Sequence, residues 1–194
     1  NMARNWRAIP HVTQHDDIDV TDLETFRKEM EPTLGKLSAV AFIVKAVTIA
    51  LKDFPQLNAS LKNDGETLVL KEYIHIGLAV NVKDGLLVPV IKNADQKGLR
   101  ELSYEISRLA DGARDGALSF QDFSGSSFTV SSLGKLGGTG FSPIINHPEV
   151  AILGVGRSSD RLMMSEGGVS NRTIVPLSLS DDHRVINGVC GGEF

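Results

Sequence analysis

Apolar positions along the chain change period several times, and each change predicts an element. Leu99, Leu102, Ile106, Leu109, Ala110 and Ala113 recur at helical steps, which predicts an amphipathic helix covering a sheet. From Ala39 to about Phe54, behind a Ser38 cap, almost every position is apolar. A helix apolar nearly all round is expected to be buried. Lys45 interrupts it and is expected to snorkel or pair with a carboxylate. An earlier helix is predicted from Thr21 to about Met30. Thr21-Asp22-Leu23-Glu24 has capping-box spacing, and Pro32 marks the expected end.

Strands account for most of the rest. The segment Ile9–Val20 gains strand character toward its end, with Pro10 suggesting a sheet edge. Thr67–Lys71, Ile74–Val82 and Leu86–Lys92 follow, and Asp84-Gly85 between the last two is a hairpin signal. Phe128–Ser132, Val150–Val155 and Thr173–Ser180 complete the set, with a glycine-rich loop from Gly134 to Gly140. Helices and strands mix without regular alternation. The pattern predicts an α/β fold, a two-layer sandwich of helices on a mixed sheet. Residues 1–194 read as one domain without linker or internal repeat.

Composition narrows the classes of function. The net charge of −4 provides no basic patch for nucleic acid. No apolar run reaches membrane-spanning length, and no signal pattern opens the chain. The lone cysteine, Cys190, excludes an internal disulfide framework and fits a reducing setting, cytoplasm or organelle matrix. It reads as a small packing residue rather than a nucleophile.

Several motifs fail on inspection. A phosphate-binding loop ending at Gly134-Lys135 needs glycine where Thr129 stands and a hydroxyl where Leu136 stands. A dinucleotide fingerprint at Gly154 and Gly156 meets Ser159 instead of its third glycine. A nucleophile elbow at Gly125 and Ser127 is broken by Thr129. His11 and His15 lie too far apart on an extended segment to share one metal ion, and no third ligand is near, so no metal site is expected. What remains is Asp181-Asp182-His183-Arg184-Val185-Ile186-Asn187-Gly188. A strand here delivers a histidine flanked by an acid and an arginine, and strand ends are where catalytic groups are often placed.

That stretch, Asp182 to Gly188, resembles the Asp-His-Arg-x-x-Asp-Gly signature of the dihydrolipoyl acyltransferases of 2-oxo acid dehydrogenase complexes, with Asn187 in place of the second aspartate. Further resemblance runs through Ile9–Gln14 and Asp19–Glu24, Phe54–Ser60, His75–Val80, Gly85–Ile91, Phe128–Gly134, Pro143–Asn146 and Pro148–Gly154. The Gly137–Phe141 run is similar to the acetyl (pyruvate) type. The resemblance implies a chloramphenicol-acetyltransferase-like trimer that moves an acetyl group between a dihydrolipoyl thiol and coenzyme A. It implies His183 as base, Ser131 as oxyanion donor and Asn187 as a positioning residue, with His183 and Ser131 supplied by different subunits. Coenzyme A would be a substrate, no cofactor would be tightly held, and the lipoyl group would sit on a separate domain. The implied partners are that domain, further trimers of a larger core, and the pyruvate dehydrogenase and dihydrolipoyl dehydrogenase components. The chain reads as a catalytic domain trimmed at both ends. Other readings are an impaired core serving as an assembly module, a branched-chain or succinyl-type transferase, or a chloramphenicol acetyltransferase. Pro143, Ile144 and Ile145 are expected to form an apolar patch buried between subunits.

Overall fold

The computed structural model describes all residues other than 1, 63 and 166. A short helix, α1 (Met2–Ala8), leads into strand β1 (His11–Asp19) and helices α2 (Thr21–Leu34) and α3 (Ala39–Asp53). The small strands β2 (Ala59–Leu61) and β3 (Leu68–Leu70) pair with each other, apart from the main sheet. Then come β4 (Ile76–Val82), β5 (Gly85–Leu87), β6 (Val90–Ile91), helix α4 (Leu99–Arg114), β7 (Phe128–Ser132), β8 (Ala151–Val155), β9 (Ser159–Ser165), β10 (Gly168–Asp182) and helix α5 (Gly188–Glu193).

The main sheet runs β1-β10-β8-β7-β4-β5, with β6 also on β4 and β9 also on β10. The pairs β4/β7 and β7/β8 are parallel and the others antiparallel, so the sheet is mixed as the pattern suggested. β1 is an edge strand, as Pro10 indicated. The Leu86–Lys92 strand is two pieces. Pro89 has no N–H to give a ladder, so the chain breaks there and β5 and β6 pair with different stretches of β4.

One sheet face carries the main core. Ile76, Leu78, Val80, Phe128, Val130, Leu153, Val175 and Leu179 pack under Ala41, Val44, Val47 and Leu51 of α3 and Leu102, Ile106, Leu109 and Ala113 of α4. α3 is buried on that side alone, and Ile49 is 58 % exposed. The expectation of burial all round fails because the helices form a single layer. The flank of α3 borders an apolar groove of about 430 Å³ lined by Ile43, Ala46, Ile18 and Leu177. Lys45 is half-buried and finds no carboxylate among the described residues. Its Nζ donates to the carbonyls of Asp95 and Lys97, both at 2.9 Å.

α2 departs from its expected ends. Thr21 is helical, and Asp19 Oδ1 accepts from its N–H at 2.9 Å and its hydroxyl at 2.6 Å. Glu24 turns to Arg27 at 2.8 Å, so no capping box forms. The helix runs through Pro32 to Leu34. Arg100 of α4 donates to the end carbonyls of Thr33 and Leu34, both at 3.1 Å, which satisfies part of this C-terminus.

The second sheet face is covered by α1 and the loop between β7 and β8. Ile9, Ile145 and Ile152 form a small core there. Asn5 Nδ2 donates to the Ile145 carbonyl at 2.9 Å. The expected free patch is thus largely used within the chain. Ile145 is fully buried and Pro143 buried, while Ile144 is half-buried.

Candidate functional site

β10 ends at Asp182, and a tight turn holds His183 outward. Three contacts lock the turn. The His183 N–H donates to the Pro10 carbonyl at 3.0 Å, and the Asp182 carbonyl accepts from Val185 and Ile186 at 2.8 and 3.0 Å. Asp182, itself buried, binds Arg184 in a two-pronged ion pair at 2.9 and 2.6 Å. The acid next to the histidine in the motif is therefore spent on the arginine. The His183 side chain is 47 % exposed, and its Nδ1 lies 3.7 Å from Oδ1 of Asp181. Asp181 is 1 % exposed, and burial pushes its carboxyl up to about 6 against the opposing pull of His183.

Asn187 opens α5. Its Oδ1 accepts from the Cys190 N–H at 2.9 Å, which is helix capping. Cys190 is half-buried, and its thiol donates to Gln56 Oε1 at 3.5 Å. Burial, with Glu193 and Asp181 nearby, pushes that thiol up. A nucleophilic cysteine needs the opposite shift, so the packing reading of Cys190 fits.

Ser131 sits elsewhere. It is on β7, half-exposed, paired with Ala79 of β4 and Gly154 of β8. Phe128 and Val130 enter the main core, so by alternation Thr129 and Ser131 point to the second face. There Ser131 lines a cleft of about 180 Å³ with Ala79, Val88, Phe141, Ile144 and Asn146. Behind the cleft lies Glu149, which the sequence reading overlooked. It is 2 % exposed, its Oε1 accepts from Asn146 Nδ2 at 3.0 Å, and complete burial pushes its carboxyl up to about 7. A lone glutamate between Pro148 and Val150 carries no periodic signal that would have marked it as buried.

The structure does not bring Ser131 and His183 together. Ser131 is level with Gly154, which pairs with Ser178, five residues before His183 and two strands away. At ~3.3 Å per residue and ~4.8 Å per strand, the two side chains lie roughly 20 Å apart in one chain. His11 and His15 are also separate. The Ile145 N–H donates to His11 Nε2 at 3.0 Å, so Nδ1 carries the proton it gives to the Ile9 carbonyl at 2.8 Å. His15 Nδ1 is 2.9 Å from Ser178 Oγ. Both rings serve structural hydrogen bonds on the second face.

Comparison with known proteins adds a context. The family described as 2-oxoacid dehydrogenases acyltransferase (catalytic domain) matches residues 1–194. The dihydrolipoyllysine-residue acetyltransferase component of the pyruvate dehydrogenase complex of Cupriavidus necator is 52 % identical over 198 residues, covering 100 % of this chain. The chain spans 35 % of the length of that relative. A crystallographic structure of the Azotobacter vinelandii dihydrolipoamide acetyltransferase superposes with a TM-score of 0.95 at 45 % identity, covering 100 % of this chain and 81 % of the other. That structure belongs to an investigation of one serine, one histidine and one asparagine in that enzyme's catalytic mechanism. The cubic core of the pyruvate dehydrogenase multienzyme complex matches equally well, at TM-score 0.95 and 45 % identity over 99 % of this chain and 81 % of the other. A chloramphenicol acetyltransferase shares the fold alone, at TM-score 0.57 and 15 % identity over 98 % of this chain and 89 % of that one.

Proposed function

The chain belongs to the 2-oxoacid dehydrogenases acyltransferase family, as a catalytic domain, and from that premise we propose that it moves an acetyl group between a dihydrolipoyl thiol and coenzyme A. One observation carries the residue assignment. In the Azotobacter enzyme the serine, histidine and asparagine are separated by 52 and then four residues, the same separations as Ser131, His183 and Asn187.

The reaction is thioester exchange. The coenzyme A thiol gives its proton to His183 Nε2 as its sulfur attacks the acetyl carbonyl of the S-acetyldihydrolipoyl group. A thiol with a pKa of about 8.5 is only a few per cent ionised at neutral pH, so a base is needed. The Ser131 hydroxyl donates to the tetrahedral oxyanion. Collapse expels the dihydrolipoyl sulfur, which recovers the proton from His183. Acetyl-coenzyme A and the dihydrolipoyl thiol are the products. Asn187 holds the His183 segment on α5 through its cap.

The roughly 20 Å between Ser131 and His183 supports a site completed by a second copy, and we place it at the subunit boundaries of a trimer. Leu162 and Met164 on β9 and Val169 on β10, 77 %, 87 % and 65 % exposed, are apolar surface that association would cover. The neighbouring structure of a cubic core supports a larger assembly of trimers. A lipoyl domain on the longer protein, pyruvate dehydrogenase and dihydrolipoyl dehydrogenase are the proposed partners. The bacterial relatives support a cytoplasmic setting. No single helix is long and apolar enough to cross a membrane.

The test is acetyl transfer to free dihydrolipoamide. His183→Ala is expected to leave under about 1 % of turnover, since a positioned base contributes on the order of 100-fold to 10,000-fold. Ser131→Ala is expected to lower kcat on the order of 100-fold to 1000-fold with KM little changed, because an oxyanion donor acts in the transition state. Substantial turnover in His183→Ala, in folded protein, overturns the assignment.

A further inference from the structure

Asp181 has an environment that packing does not explain. It is a carboxyl one residue before the end of β10, 1 % exposed, and neither oxygen has a hydrogen-bond partner among the described residues. A buried acid left so is costly unless a charge partner compensates it. The groups facing it are few. Asp182 and His183 come from its own segment. Ala151 of β8 and Val12 of β1 are its ladder neighbours and carry no charge. Gln14 of β1 shares with Asp181 Oδ2 the small space over Gly191 of α5. Cys190 and Glu193 of α5 lie beyond. Asp182 is committed to Arg184. That leaves His183, whose Nδ1 is 3.7 Å from Asp181 Oδ1, as the one group there, among the described residues of this chain, able to turn cationic. The gap is longer than a hydrogen bond, and such catalytic contacts tighten in the substrate complex.

We propose that Asp181, and not the Asp182 of the signature, is the positioning residue for His183, with its carboxylate taking the Nδ1–H so that Nε2 faces the thiol as an unprotonated acceptor. This rests on His183 being the base. During the exchange the thiol proton moves to Nε2 and later to the departing sulfur. Nδ1 keeps its own proton throughout, and Asp181 stays ionised. The pair passes from a neutral ring beside an anion to a cation beside an anion, so the carboxylate stabilises the charged ring in which the proton rests. Burial raises the Asp181 carboxyl, and the neighbouring ring opposes that rise.

The experiment uses the assembled protein and the variants Asp181→Asn and Asp181→Glu. Two quantities are followed from pH 5 to 9, namely acetyl-transfer kinetics and the rate at which diethylpyrocarbonate carbethoxylates His183, read by peptide mass spectrometry. The modification rate reports the ionisation of His183 whether or not His183 is the base. In Asp181→Asn the modification midpoint is expected to fall by about one pH unit. Over the same variant kcat should fall about tenfold to a hundredfold with KM unchanged. Asp181→Glu should recover part of both. Because a buried carboxylate without a hydrogen bond among the described residues of the free protein is removed, the thermal midpoint of Asp181→Asn at pH 8 should hold or rise. An unchanged modification midpoint overturns the proposal, as does turnover lost only in step with a falling thermal midpoint. If the midpoint shifts while His183→Ala remains active, the pairing stands and the assignment of the base falls.

Discussion

Glu149 joins local chemistry to stability at a single side chain. Its carboxyl is enclosed behind the Ser131 cleft, Oε1 holds the Asn146 amide, and Oε2 has no partner among the described residues. Burial raises it to about 7. The folded state therefore holds a proton that the unfolded chain, with an ordinary glutamate, releases nearer 4.5. The resulting stability is complete below about pH 4.5 and is lost as pH rises to about 7, a difference of roughly 3 kcal/mol. Asp181, raised to about 6, acts in the same sense. Glu149→Gln resembles the protonated acid and cannot ionise. The variant is expected to lose much of the fall in thermal midpoint that the parent shows between pH 5 and pH 8. Equal pH dependence in the two proteins contradicts a neutral Glu149.

At the scale of elements, the loop between β7 and β8 is pinned through a glycine. A Cβ on Gly154 would lie 2.8 Å from Cζ of Phe141. Ser131 pairs with Gly154 and shares its cleft with Phe141. Gly154→Ala is expected to push the ring out, cost about 1–3 kcal/mol and lower turnover. Urea unfolding would show the midpoint lowered at constant slope, and an unmoved midpoint would show that the ring yields freely. The elements legible in the sequence are those whose apolar period matched one buried face, such as α4 with Leu102, Ile106 and Leu109, and β7 with Phe128 and Val130. β9 and the first part of β10 escaped notice. Residues 159–164 and 167–170 of this hairpin are exposed or half-buried, so its ladder of backbone bonds left no hydrophobic alternation to read. α1 escaped for a similar reason, since most of its side chains are not buried. The His183 motif was legible because it is contiguous. The Asp181 contact was not, because it depends on how a strand end meets α5.

On the scale of the whole molecule, strand order decides where chemistry can occur. β10 lies beside β8 and β8 beside β7, so His183 and Ser131 fall on different strands at different levels of the sheet. No spacing in the sequence reveals that separation, since 52 residues can bring two side chains together or keep them apart. If Ser131 and His183 act together as proposed, a single subunit carries two half-sites, and that shared site is the central claim. His183→Ala protein retains Ser131, and Ser131→Ala protein retains His183. Co-assembled one to one from unfolded chains, about a quarter of the boundaries of a closed ring should join an intact His183 to an intact Ser131. The decisive measurement is acetyl transfer by that co-refolded mixture, with its mass fixed by light scattering. Recovery to about a quarter of the parent activity, in particles of trimer mass or a multiple of it, is the result predicted. A mixture no more active than either variant alone, or a monomeric mass with full activity in the parent, contradicts it.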